Sequence, residues 1–139
     1  MVVVVLLDAF TTQLVSVLQA RLTAADAAFA GKVGDGVTAG APPFAAVYVI
    51  DGRDDLAGLA AGASEPAAVS VQVTVAGETR QQRDRVADLV RVALLDPSVS
   101  LNGTGFAVGD RRAVGAAPDG PDVGRHAVAL EFSMRVAKA

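Results

Sequence analysis

The chain contains no cysteine, no tryptophan and only one histidine, His126. The lack of cysteine excludes a disulfide framework and a thiolate metal site. A single histidine supplies neither a zinc-binding set nor a catalytic triad, and no nucleophile, base and orienting group can be placed together. We therefore predict a protein that is not an enzyme and uses no metal or cofactor, with His126 as a packed or edge residue of a strand.

Basic residues form no run, and the formal net charge is -3. Binding of nucleic acid through counterion release needs a basic stripe, so tight binding of DNA or RNA is not expected. No apolar stretch approaches the roughly 20 residues of a membrane-spanning helix, which argues against a membrane partner. Asp51, Asp54 and Asp55 lack the spacing and closing glutamate of a calcium loop, and we interpret them as a solvated cluster.

The length of 139 residues fits one domain, residues 1–139. Hydrophobic residues make up 52% of the chain and aromatic residues only 4%, so alanine, valine and leucine supply the apolar character. Small side chains favour a closely packed core over a deep ligand pocket.

Apolar periodicity predicts two main helices. The first covers residues 6–22, in which five apolar side chains recur at intervals of three and four: Leu7, Phe10, Leu14, Leu18 and Leu22. Residues 2–5 are all valine, which leaves open whether a short strand precedes this helix or its first turn is valine-rich. The second helix follows a capping box of Thr79 and Gln82 and ends at Asp96-Pro97.

Alternation of apolar and polar residues predicts strands at 69–75 and 126–136, and a short apolar strand is predicted at 45–50. The dipeptide Asn102-Gly103 predicts a small hairpin that joins residues 98–101 to residues 105–108. The segments 51–66 and 111–124, which are rich in small residues, are predicted to be long loops.

Together these elements indicate an α+β fold, with an antiparallel or mixed sheet of about four strands and two main helices packed on one face. The second face of the sheet is polar, since Gln72, Thr74, Glu131 and Arg135 alternate with the apolar residues. Burial of such groups without partners is costly, so we expect this face to meet water or another subunit.

Charged pairs beside the two loops extend this candidate interface. Asp54 and Asp55 lie in the first loop and Arg111 and Arg112 at the start of the second. The complete set of candidate interface residues is Asp54, Asp55, Gln72, Thr74, Arg111, Arg112, Glu131 and Arg135. The second helix interleaves arginines with aspartates, which predicts Arg80–Asp84 and Asp88–Arg91 pairs on a mostly solvated face.

The order of these features resembles that of the tail-terminator, or tail-completion, proteins of long-tailed (siphovirus-type) bacteriophages. The resemblance is one of layout and covers nearly the whole chain. It includes the helix at 10–22, the segment Pro43-Phe44-Ala45-Ala46-Val47-Tyr48-Val49-Ile50 with the Asp-rich loop after it, the valine strand at 69–75, the helix at 79–95 and the final strand at 126–136.

The resemblance implies a virion assembly protein. Such proteins form a ring, a homohexamer, that caps the head-proximal end of the tail tube, ends tail polymerisation and offers a surface for head-tail joining. The implied partners are further copies of the chain, the major tail tube protein and the head-tail connector protein, while DNA passes through the lumen without specific binding. The implied location is the virion tail, after assembly in the host cytoplasm, and the two long loops are the implied contacts with tube or connector.

Two other interpretations stay open. A head-completion or neck connector protein of the same virion would share these features, and gene order next to the major tail protein or next to the portal would separate the two. A small dimeric α+β ligand-binding module belongs to a different class of protein, but the polar sheet face argues against the apolar pocket it would need.

Overall fold

The computed structural model describes residues 2–36, 42–62, 65–103, 105–118 and 126–138. Over these ranges the chain forms three α-helices, one 3-10 turn and five strands. In chain order these are α1 Val2–Ala25, the turn Ala27–Phe29, β1 Val33–Asp35, β2 Phe44–Asp51, α2 Arg53–Ala60, β3 Ala67–Gly77, α3 Arg80–Leu95, β4 Phe106–Pro118 and β5 His126–Lys138. The predicted α+β fold is confirmed, with one more helix than the sequence indicated.

The five strands form a single mixed sheet in the order β1-β2-β3-β5-β4. Strand β1 runs parallel to β2, and the other three pairings are antiparallel. The two strands that alternation predicted most clearly, β3 and β5, therefore lie side by side at the centre. The edges are the three-residue β1 and the 13-residue β4.

The helices cover one face of the sheet, which we call the inner face. The apolar stripe of α1 is buried there in one core cluster with the valines of β3 and the larger apolar residues of β5. Phe10 of α1 and Phe106 of β4, both fully buried, meet edge to face with ring centroids 5.9 Å apart and an interplanar angle of 77°. This contact connects the first helix to the edge strand.

The helix α1 starts at Val2, so the valine run is helical and Asp8 lies within the helix. Valine costs at most about 0.7 kcal/mol per residue relative to alanine in a helix, a small penalty for the end of a helix of 24 residues. After α1, Asp26 caps the 3-10 turn, since its Oδ1 accepts the N–H of Ala28 at 3.0 Å.

The prediction of a long loop at 51–66 is wrong over its central part, because residues 53–60 form α2. Leu56 and Leu59 are buried in the common core, and their spacing of three places both on one helical face. The second predicted loop is also largely strand, since residues 111–118 belong to β4. Residues 119–124 lie outside the described residues.

The predicted hairpin is wrong as well. Residues 98–101 form no strand, and a single bridge between Gly103 and Phe106 is the pairing seen around Asn102. The Asn102 side chain itself accepts the N–H of Val108 at 2.8 Å, and Val99 and Leu101 are buried as anchors. Strand β4 pairs instead with β5, over the full length of β4 and residues 128–138 of β5.

The caps of α3 follow the sequence closely. Thr79 Oγ1 accepts the N–H of Gln82 at 3.0 Å, and Gln82 Oε1 accepts the N–H of Glu78 at 2.7 Å, one residue before the N-cap. The predicted Asp88–Arg91 pair is present at 3.1 Å. The predicted Arg80–Asp84 pair is wrong, because Asp84 pairs with the adjacent Arg83 at 2.9 Å.

Candidate interaction surface

The face of the sheet opposite the helices, which we call the outer face, carries the predicted polar residues. Gln72 of β3 lies directly opposite Glu131 of β5, and Gln72 Nε2 donates to Thr74 Oγ1 at 3.2 Å. These three side chains are half-buried, whereas Arg135 is exposed. Strand alternation therefore brings all four residues to one face.

Between these groups the outer face is built from short side chains. Ala68 and Ser70 of β3 lie opposite Arg135 and Ser133 of β5, and Ala129 lies opposite Thr74. Short side chains leave the backbone accessible at close range, so a flat partner surface can approach this face closely.

Arg111 and Arg112 point to opposite faces of the sheet. Asp110 is an extra residue at a β-bulge in β4, because Gly109 pairs with Arg135 and Arg111 with the next residue of β5, Met134. Arg111 lies on the inner face, where its Nη2 donates to the backbone carbonyl of Asp96 at 3.1 Å. Its Nη1 is buried and has no hydrogen-bond partner in the described part of the chain. Arg111 therefore stabilises the packing of the end of α3 against β4.

Asp96, at the end of α3, belongs to the same inner contact. The Ser98 hydroxyl, 2.7 Å from Asp96 Oδ1, and the Ser98 backbone N–H, 2.9 Å from it, lower the pKa of that carboxyl below 3.8. The charges of Arg21 and Arg111 lower the pKa further. Neither arginine forms an ion pair with this carboxylate among the described residues, and Arg111 contacts only the backbone carbonyl of Asp96.

Arg112 lies on the outer face, opposite Ser133. With Arg135 it borders an open hollow of about 480 Å³, whose other lining residues are Ala68, Asp110, Arg111, Ser133 and Met134. Neither Arg112 nor Arg135 forms an ion pair with another described residue. The outer face therefore carries two guanidinium groups without a carboxylate partner near the β4 edge.

The end of β2 and the first turn of α2 form an acidic turn, which we define as residues 51–55 and which carries three aspartates and Arg53. Asp54 and Asp55 are exposed in the first turn of α2, where their charge complements the N-terminal end of the helix dipole. Asp51 Oδ1 accepts the N–H of Gly52, the left-handed N-cap, at 2.8 Å. In the described ranges none of these carboxylates has an ion-pair partner.

The acidic turn and Arg112 lie at the two ends of one row across the outer face. Asp51 pairs with Ser70, Ser70 with Ser133, and Ser133 with Arg112. Three strand spacings separate the ends of this row, a distance of about 14 Å. The structure thus separates the predicted interface residues into a polar centre, an acidic end and a basic end.

Two exposed apolar residues that the sequence analysis missed accompany the charged ends. Ile50, 46% exposed, is the extra residue of a bulge before Asp51, and Val114, 56% exposed, is the extra residue of the second bulge in β4. No sequence motif predicts a bulge, but the glycines beside the two bulges of β4, Gly109 and Gly115, are a weak sequence signal of irregular strand pairing.

The described residues contain no group of three or more His, Asp or Glu side chains arranged to hold a metal ion. His126 is exposed at the start of β5, opposite Gly77. Within the same ranges, no helix has the length and apolar character needed to cross a membrane.

No protein-family model matches the chain, and no curated protein matches it in sequence. Among solved structures, its fold is similar to that of a chain in the virion of a native gene transfer agent particle, with a TM-score of 0.70. The alignment covers 96% of this chain and 98% of that chain, with 17% identical residues. At this level of identity the likeness concerns the fold, and it extends over nearly the whole of both chains.

Proposed function

We propose that this chain is a virion assembly protein that forms a six-membered ring at the head-proximal end of a phage-type tail tube. The ring ends polymerisation of the tube and offers the surface to which the head-tail connector joins. The observation that carries this proposal is the similarity of fold, over nearly the full length of both chains, to a chain of a gene transfer agent virion. The layout of the sequence supports the same assignment independently of the fold.

The geometry supports an assembly role over a ligand-binding one. The inner face is filled by the core, and the outer face is polar with short side chains between its charged groups. A ring requires two different surfaces on each subunit, because a head-to-tail contact repeats by rotation until it closes. The acidic and basic ends of the outer face are two such surfaces.

The charge of the chain is compatible with a lumen that carries DNA. With a net charge of -3, with Asp110 beside the outer-face arginines and with Glu131 on the same face, the described part of the chain presents no continuous basic stripe. A lumen of this kind gives DNA little electrostatic reason to bind as it passes.

A tube-capping assay tests the proposal. Purified chain is added to polymerising major tail tube protein, and tube lengths and tube ends are recorded by electron microscopy. We expect rings with a central hole at one end of each tube, and tubes that stop elongating once capped.

The same preparation separates the rival functions. A chain that ignores tubes but binds head-side connector rings would be a neck component, and the tail-terminator proposal would be withdrawn. A stable dimer that never forms a larger species, even with tube protein present, would support a dimeric binding module instead.

A further inference from the structure

The long edge strand β4 is the surface of the described structure best suited to binding a partner. Its outer side has no neighbouring strand among the described residues, although it contains 13 residues. Exposed edges of this length invite pairing with another chain unless charge or irregularity prevents it. Strand β4 has both of these protective features, since two bulges interrupt it and the charged residue Arg112 lies between them.

These devices exclude the simplest pairing, that of β4 with β4 of a second copy. Arg112 is the middle residue of the strand Phe106–Pro118, so a two-fold antiparallel pairing over the full strand would place it opposite its own symmetry mate. Like charges directly opposite each other destabilise a strand pair. The β4 edge is therefore suited to a different, acidic surface.

The other end of the outer-face row provides a surface with the required chemistry. The acidic turn carries Asp51, Asp54 and Asp55 without ion-pair partners in the described structure, and β1 pairs only with residues 45–47 of β2. No described strand therefore flanks Tyr48–Asp51 on that side. Each charged end also has its own exposed apolar residue, Ile50 in one case and Val114 in the other.

We propose that the β4 edge around Arg112 and Val114 binds the acidic turn, with Ile50, of a second copy of this chain. The contact pairs guanidinium with carboxylate and covers the two exposed apolar side chains against each other. Because the two surfaces differ and lie at opposite ends of one row, the copies associate head to tail. This inference rests on the proposed ring and names its subunit interface.

Charge reversal tests the interface in the full chain. Arg112→Glu alone, and Asp54→Lys combined with Asp55→Lys, each place like charges in the contact and should weaken ring formation at least ten-fold, by ~1.4 kcal/mol or more. An equimolar mixture of the two variants restores opposite charges at every contact and should restore rings. Arg80→Glu matches the charge change of Arg112→Glu, and Asp8→Lys combined with Glu78→Lys matches that of the double variant. These positions are exposed, in α1, in α3 and in the turn before α3, and the two variants are the matched controls.

The possible outcomes distinguish a failure of the proposed interface from a failure of the proposed ring function. Wild-type rings that persist in both variants would overturn the interface but leave the ring function standing. Loss of rings in both variants without rescue in the mixture would also overturn the proposed pairing. A wild-type chain that forms no ring on tubes would overturn the function and the interface together.

The absence of native cysteine permits a second test that does not depend on charge. Ile50→Cys and Val114→Cys variants are mixed under oxidising conditions, on tubes if rings form only there. A head-to-tail contact should give disulfide-linked pairs from the mixture and much less from either variant alone. Cross-linking that is equally efficient in the single-variant samples would overturn the proposed arrangement.

Discussion

Gln19 connects α1 to the first edge of the sheet. Its Nε2 donates to the carbonyl of Phe29 at 2.7 Å and to Thr23 Oγ1 at 2.9 Å, and its Oε1 accepts the N–H of Val33 at 3.2 Å. One half-buried amide thus joins α1, the 3-10 turn and β1. Since β1 is only three residues long, its place beside β2 depends on this side chain.

Gln19→Ala removes all three hydrogen bonds and leaves a carbonyl and an N–H without their partner. At about 1 kcal/mol for each of the three bonds, less a few tenths for the better helix propensity of alanine, the free energy of unfolding should fall by about 2.5 kcal/mol. For a chain of this size that loss lowers Tm by roughly 6–10 °C. The damage should be local, because the central strands do not contact this amide.

Urea unfolding followed by circular dichroism measures the total loss, and hydrogen exchange measures where it occurs. Exchange of the Val33 amide should accelerate strongly, while that of Val71 at the sheet centre should follow only global unfolding. Gln13→Ala is the matched control, since Gln13 is a half-buried glutamine of α1 whose side chain forms no hydrogen bond to another described residue. If Gln19→Ala and Gln13→Ala differ by less than about 0.5 kcal/mol, the reasoning is refuted.

Two further predictions concern the acidic turn and the end of α3. In urea unfolding, Gly52→Ala should destabilise the fold by about 2 kcal/mol more than Gly62→Ala. Both glycines have positive φ. An added Cβ at Gly52 would lie 2.3 Å from the carbonyl oxygen of Ala68, whereas an added Cβ at Gly62 would meet open space. Equal losses would show that the contact relaxes freely. Carboxyl NMR titration should place the pKa of Asp96 below 3.8, and Ser98→Ala should raise it. Because the folded-state pKa is the lower one, Asp96 stabilises the fold above its unfolded pKa and this contribution is lost as pH falls through the folded pKa, a loss that Ser98→Ala should reduce.

The elements that sequence reasoning predicted well are those with strong periodicity. Helix α1, strand β3, helix α3 and strand β5 each place apolar residues on one face, and the register of the central strands follows from that alternation. The cap of α3 was also predictable, because Thr79 and Gln82 have the spacing that local hydrogen bonds require. These signals are local, so they can be read without knowing the neighbours.

The elements that the sequence did not predict correctly depend on contacts between residues that are distant in the sequence. Helix α2 has only Leu56 and Leu59 as apolar anchors, and its place is fixed by packing against α1 and β3. Strand β1 is positioned by Gln19 and by pairing with β2. The hairpin expected around Asn102 does not form. The Asn102 side chain instead accepts the backbone N–H of Val108, a contact across six residues that the dipeptide rule does not consider.

In the candidate surface, too, features set by local sequence were predictable and features set by the order of the strands were not. Alternation correctly placed Gln72, Thr74, Glu131 and Arg135 on one face. The row that connects the acidic turn to Arg112 crosses four strands, whose order follows from the whole fold. No reading of the sequence alone could have placed those two ends opposite each other.

The two bulges of β4 are what give the adjacent arginines separate roles. If β4 alternated regularly through Asp110, with no bulge there, Arg111 would point outward and Arg112 toward the core. The second bulge, at Val114, restores the original alternation, so the inverted stretch covers only residues 111–113. Within it one arginine contacts the end of α3 while the other stays free on the outer face beside an exposed valine. The bulges thus protect the β4 edge against strand pairing and direct Arg112 outward, where the proposed head-to-tail contact would use its charge.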